Sequence, residues 1–200
     1  MRFEPNNIYH IYNRGNNSQP IFFEHKNYTF FLGKIQHHLC PLVDVLAYCL
    51  MPNHFHLLVS VPEYSYSECD SKSRSEFKSL ETNKNIGIIL SSYTRAINKR
   101  YNRTGSLFQA KTKAKNVSNS NQQAFICFHY IHQNPLKAKL VNKMQDWEFS
   151  SYRDYSGLSN KPICNKNLAY ELLDVPNNSS EFINQSSNVI IDPREINIIF

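Results

Sequence analysis

No CxxC pair, no long apolar run and, over one continuous third of the chain, no acidic residue: these three absences bound what the sequence encodes. The five cysteines stand at 40, 49, 69, 127 and 164, odd in number and scattered. Neither a disulfide framework nor a cysteine-based zinc module is indicated. No stretch approaches the ~20 apolar residues of a membrane span, and the opening MRFEPNN has no signal-peptide core. The expectation is a cytoplasmic, nucleoid-associated protein with no membrane partner. From Ile86 to Gln145 there are ten Lys or Arg residues and no Asp or Glu, while the other 140 residues carry 12 basic against 16 acidic. A net charge of +6 so concentrated suits a surface that meets phosphates, because each neutralised phosphate adds affinity through counterion release.

What is present suits one globular domain: 200 residues, 41% of them apolar, are enough to bury a core. NIYHIYNRG reads as a strand ending at a turn, and HKNYTFFLGKIQHHLC as a helix stopped by Pro41. LVDVLAYCLM and HFHLLVSV read as a hairpin broken at Pro52-Asn53. Residues 63–85 are polar and predict a flexible insertion. Ile86, Ile89, Leu90, Tyr93 and Ile97 then mark an amphipathic helix, with Arg95, Lys99, Arg100 and Arg103 off its apolar face. SLFQAKTKAKNV alternates, placing Gln109, Lys111, Lys113 and Lys115 on one side of a strand. Ser118 to Ser120 offer a cap for a further helix, which Pro135 should limit or kink. The order β-α-β-β-α-β predicts an α+β, ferredoxin-like antiparallel sheet, with the additional helix on its open face. The domain spans 1–155, and 156–200 form a partly mobile tail, with Trp147, Phe149 and Tyr152 as its anchors and VIIDPREINIIF able to dock.

The stretch MPNHFHLLV carries the chemistry. On a strand, Phe55, Leu57 and Val59 face one side and His54 and His56 the other. A lone HxH pair is more often incidental than functional. Tyr130 and Asn134, four apart on the later helix, share one helical face, and a helix laid over the open sheet face would bring a phenol and a carboxamide beside two imidazoles. His129 and His132 point elsewhere round that helix, so neither is an evident base for the phenol.

MPNHFHLLV, TGSLFQAKTK, HYIHQNPLKAKLV and DWEFSSYRDY, in this order, resemble the HUH-type single-tyrosine transposases, especially the REP-associated tyrosine transposases of bacteria. The resemblance runs from about Ile8 to Tyr155. It implies that His54 and His56 are the HUH pair, that Asn134 completes a metal site, and that Tyr130 is the nucleophile. The implied activity is cleavage and transfer of single-stranded DNA marked by a hairpin or palindrome, through a 5′-phosphotyrosine link and a free 3′-OH. Two imidazoles and an amide oxygen suit Mg²⁺ or Mn²⁺. Arg14, the basic helix rim, the Gln109 to Lys115 ladder, Lys137 and Lys139 would track the DNA backbone, and Tyr9, Tyr12, Tyr93 and Tyr101 are candidates to stack on bases. Lys111 stands where the family often has arginine, keeping the charge without the bidentate fork. Related proteins are either monomers or homodimers that exchange the tyrosine helix. The competing readings are an inactive hairpin-binding relative and, with no third strong ligand in sight, a zinc hydrolase.

Overall fold

A computed structural model of the chain describes residues 1–63, 71–159 and 162–200, with the backbone alone at 71–75 and 121. Strands β1 (Ile8–Arg14), β2 (Asp44–Met51), β3 (His54–Ser60) and β4 (Lys113–Asn116) form one sheet in the order β2-β3-β1-β4, antiparallel throughout. Helices α1 (His25–His38) and α2 (Ser71–Arg100) complete the ferredoxin-like pattern, and α3 (Asn121–Lys137) follows β4. Four short helices close the chain: α4 (Tyr152–Tyr155), α5 (Lys166–Leu173), α6 (Ser179–Asn188) and α7 (Pro193–Ile199).

Period-two alternation decides which layer each strand face meets. Ile11, Phe55 and Leu57 pack with Phe31 and Ile35 of α1 and with Ile86, Ile89, Tyr93 and Ile97 of α2, all of them buried. Each such side chain contributes about 1.5–3 kcal/mol through burial. The opposite face is covered by α3, which lies over β2 and β3 and is itself packed by α5 and α7. Phe128, Tyr155 and Phe182, all at most 1% exposed, make a second core behind α3.

Loops fix the end of the sheet where the histidines stand. The Pro52-Asn53 turn receives backbone hydrogen bonds from Ile21 and Phe22 on the Pro52 oxygen, and from Gly15 on the Asn53 oxygen. A Cβ on Gly15 would fall 2.1 Å from the Gln19 backbone oxygen, so only glycine fits there.

The structure adds to or differs from the sequence reading at four places. The insertion expected at 63–85 is helical from Ser71 onward, because Thr82, Asn83 and Asn85 bond back to carbonyls one turn earlier and Ser79 accepts the Phe3 N–H; residues 64–70 lie outside the described residues. The lysine strand is shorter than its alternation suggested, since Asn13 Nδ2 donates to the Gln109 oxygen and Thr112 Oγ1 and takes the place of ladder bonds before Lys113. Pro135 lies inside α3 rather than ending it. The helix closes only at Lys139, whose positive φ of 57° lets Leu140 N–H reach the Pro135 oxygen and Lys139 N–H the Leu136 oxygen. Finally, within the tail expected to be partly mobile, the polar run before Val189 forms α6, capped by Asn178 and with Phe182 buried. Trp147 and Phe149 do anchor the segment, through Trp147 Nε1–H to the Leu50 oxygen and a Phe149 ring stacked 4.0 Å from Tyr28.

Candidate active site

Strand register assembles the site before any helix is added. Arg14 is paired with His54 and Tyr12 with His56 across β1 and β3, and Lys113 with Tyr12 and Lys115 with His10 across β1 and β4. Paired residues in an antiparallel sheet share a face, so three histidines, a tyrosine and three cations meet on the side that α3 covers. The His54 and His56 rings are 4.9 Å apart.

Both histidines are neutral at physiological pH. Burial, then the Arg14 charge, lowers His54 to about 4. Burial, then His10, His54 and Arg14, holds His56 well below 6.5. Each Nδ1 is occupied: His54 Nδ1 lies 2.6 Å from Asn53 Oδ1, an acceptor, and His56 Nδ1 lies 2.9 Å from His10 Nε2. Asn53 therefore fixes His54 in its Nδ1–H form and leaves Nε2 as a lone pair. His56 Nε2 is buried without a protein partner.

From α3, Tyr130 places its ring 5.7 Å from His56, and Asn134 comes one turn later. The Asn134 carboxamide acts on both neighbours, favouring protonation of His54 and the phenolate of Tyr130, while its Nδ2 has no acceptor in hydrogen-bond geometry. Burial nonetheless raises Tyr130 above its ordinary value of 10, against the lowering effects of Asn134 and Arg14. Its phenol is protonated at neutral pH. His129 and His132 face Ser186 and Ser151 instead, in keeping with their positions round the helix. Tyr130 and the histidines are brought together here within one chain.

Among the described residues no group of three or more His, Cys, Asp or Glu is placed to hold a metal ion. The donor set on offer is two imidazole lone pairs and the Asn134 amide, which fits a cation that accepts mixed nitrogen and oxygen ligands and keeps open positions. Arg14, Gln109, Lys111 and Lys113, together with Tyr12, Asn13, His54, His56, Tyr130 and Phe200, line a cavity of about 240 Å³. Among the described residues no Asp or Glu side chain lines it, and the cations Arg14, Lys111 and Lys113 do, so the side-chain charge on its wall favours an anion. Lys137 lies beside it, with Nζ 5.8 Å from the Tyr130 ring.

The structure separates the other expected DNA contacts from this cavity. Lys115 continues the ladder on the same sheet face, and Lys139 sits past the end of α3. Arg95, Lys99, Arg100 and Arg103 belong to α2 or follow it, on the opposite side of the sheet; Arg100 pairs with Glu24 at 2.9 Å and Arg103 covers the Phe23 ring. Of the tyrosines considered for stacking, Tyr12 alone lines the cavity. The Tyr93 hydroxyl donates to the Ile21 oxygen, that of Tyr101 to Asn27, and that of Tyr9 accepts the Glu4 N–H.

Sequence reasoning missed His10, Asn53 and Phe200. His10 shares the parity of Tyr12 and Arg14, and Asn53 precedes His54, so both were accessible to a register argument. Phe200 was not, because only the packing of α7 on α3 brings it in. Its ring stands 5.8 Å from His56 and 5.4 Å from Tyr130, and its backbone oxygen accepts the Tyr12 hydroxyl at 2.9 Å. Phe200→Ala should therefore speed modification of His56 by diethyl pyrocarbonate several-fold, read by mass spectrometry of the labelled peptide. An unchanged rate would mean that the ring does not shield the imidazole.

No model of a known protein family matches the chain, and no curated protein matches its sequence. Its structure is similar to that of a REP-associated tyrosine transposase bound to a REP hairpin, with a TM-score of 0.55 and 17% identity over 82% of this chain and 87% of the other. The likeness establishes the fold: the α+β arrangement expected from the sequence is the one observed. Among the described residues no helix is long and apolar enough to cross a membrane.

Proposed function

We propose that the protein is a metal-dependent DNA strand transferase that cuts single-stranded DNA beside a hairpin. The observation that carries this reading is a cationic cavity lined by a phenol and two neutral imidazoles, with the Asn134 carboxamide next to His54 and Tyr130. The Tyr130 oxygen attacks the scissile phosphorus, the bond to the 3′ oxygen breaks, and the products are a 5′-phosphotyrosine and a free 3′-OH. That hydroxyl can later attack the phosphotyrosine and reseal the strand to a new partner. His54, His56 and Asn134 would hold Mg²⁺ or Mn²⁺, which when bound supplies Lewis-acid polarisation of the phosphate. Arg14, Lys111 and Lys113 neutralise the flanking phosphates, and Lys115, Lys137 and Lys139 extend the cationic track along the backbone. Tyr12 offers an aromatic face to an unpaired base. The raised Tyr130 value means that proton removal contributes to the barrier, so in-line placement must supply much of the rate. A strand entering between Tyr130 and His56 has to displace the Phe200 ring.

A second reading is a hairpin-binding protein that does not cut, favoured by that same Phe200 position and by the protonated phenol. The two separate on incubation of the protein with Mn²⁺ and a panel of hairpin-bearing single-stranded oligonucleotides. We expect a covalent adduct mapped to Tyr130 by peptide mass spectrometry and lost on chelation. Tight binding with no adduct on any hairpin would assign the second reading.

A further inference from the structure

His10 has no role in the chemistry above, yet it is the most enclosed polar side chain of the site, with 0% exposure. It stands on β1 two residues before Tyr12, and both of its ring nitrogens are engaged. Nδ1 lies 2.8 Å from the Ile199 backbone oxygen and Nε2 lies 2.9 Å from His56 Nδ1. A carbonyl oxygen only accepts, so the proton of a neutral His10 ring is on Nδ1. Its Nε2 is then an acceptor, and the proton between the two rings belongs to His56 Nδ1. One assignment follows for His56: Nδ1–H, with a bare lone pair on Nε2. That Nε2 is the buried atom left without a protein partner. The reverse assignment, with a proton on His56 Nε2, would bury an unsatisfied N–H and leave two lone pairs facing each other at 2.9 Å.

We propose that His10 is a positioning residue that takes the hydrogen bond of His56 Nδ1 and thereby presents the Nε2 lone pair to the cation site. The inference rests on the proposed use of His56 as a ligand, but the tautomer it assigns is a property of the chain alone. His54 reaches the same state by a different device, the Asn53 side chain. The relay for His56 is longer: it starts at the backbone oxygen of Ile199, the last residue of α7, crosses β1 and ends on β3. Ligand histidines held in this manner lose about 10–100-fold in metal affinity when the supporting group is removed.

The test uses the full chain with ¹⁵N-labelled histidine, metal-free and near neutral pH, read by long-range ¹H–¹⁵N correlation. Nδ1–H forms are expected for both His10 and His56; an Nε2–H form of His56 overturns the proposal, whatever becomes of any variant. His10→Phe removes the acceptor, whereas His10→Gln places Oε1 where Nε2 stood. Mn²⁺ binding, followed by the electron paramagnetic resonance of the free ion, should weaken about 10–100-fold in the first and stay within about threefold of the parent in the second. A His10→Phe protein that folds and binds Mn²⁺ as the parent does would also overturn it. If the parent binds no Mn²⁺, the cation site falls instead, and the imidazole spectra still decide what His10 does.

Discussion

Tyr130→Phe should abolish covalent attachment to single-stranded hairpin DNA, lowering its rate by at least about four orders of magnitude, as loss of a nucleophile does. Hairpin affinity and thermal stability should stay close to those of the parent. The substitution removes one oxygen, whose side-chain hydrogen-bonding neighbour is Asn134. The ring keeps its contacts with His56, Phe200 and the Lys137 ammonium. The cations that line the cavity, Arg14, Lys111 and Lys113, do not depend on the hydroxyl. A second phenol makes the experiment sharper. Tyr12 also lines the cavity, 6.2 Å from His56 between ring centres, but its hydroxyl donates to the Phe200 oxygen. Tyr12→Phe should therefore keep the covalent adduct, and the adduct peptide should contain residue 130 in both the parent and that variant. Attachment that survives Tyr130→Phe, or is lost only in Tyr12→Phe, assigns the wrong tyrosine here. Asn134→Ala should lie between the two, because it removes both a candidate ligand and the group that eases Tyr130 toward the phenolate.

The sheet and its site were legible in the sequence to different depths, for physical reasons. The alternation in HFHLLVS states which residues are inside, and a sheet with one face already buried has one register that keeps it so. His54 and His56 on the open face follow from that alone. Tyr130 and Asn134 follow from helical spacing once α3 is laid across that face. The polarity of residues 71–85 misled because helix α2 does not need an apolar face along its whole length: between 76 and 85 only Ser79 and Thr82 are buried, and Thr82, Asn83 and Asn85 bond to the backbone one turn earlier. Pro135 misled because a proline costs a helix most in its interior, and here only two helical residues follow it. Phe200 and the Ile199 oxygen reach the site through packing between elements more than 50 residues apart in sequence, which no local pattern encodes. The basic helix rim shows the converse limit: charge concentration along the chain does not state on which side of a sheet the charges emerge, and α2 carries Arg95, Lys99 and Arg100 on the side away from the cavity.

Without added metal, the protein should unfold cooperatively as the pH falls from about 6 toward 4. His10, His54 and His129 are each lowered to about 4, with burial the largest cause, and His56 and His132 are held well below 6.5 for the same reason. In the unfolded chain each titrates near 6.5. The unfolded state thus binds protons that the folded state refuses, and stability decreases as pH falls. The contribution of these groups is complete above 6.5, erodes below it, and is lost by the time the folded values near 4 are reached. A displacement from 6.5 to about 4 corresponds to about 3 kcal/mol per group. Three such groups approach the 5–15 kcal/mol that holds a typical domain together. Asp154, raised by burial, has the opposite sign and offsets part of the loss. Trp147, the one tryptophan and close to the rings of Tyr28 and Phe149, reports the transition by fluorescence. A chain still folded well below pH 4 would contradict the buried, neutral state of these rings. His129→Gln should move the midpoint to lower pH, since it removes one of the groups that protonate on unfolding. Mn²⁺ competes with protons for the Nε2 atoms of His54 and His56, so it should also lower the midpoint in the parent and not in a His54→Ala, His56→Ala double variant. A midpoint indifferent to Mn²⁺ in the parent would take the cation out of this site and leave the imidazole pair to serve the fold alone.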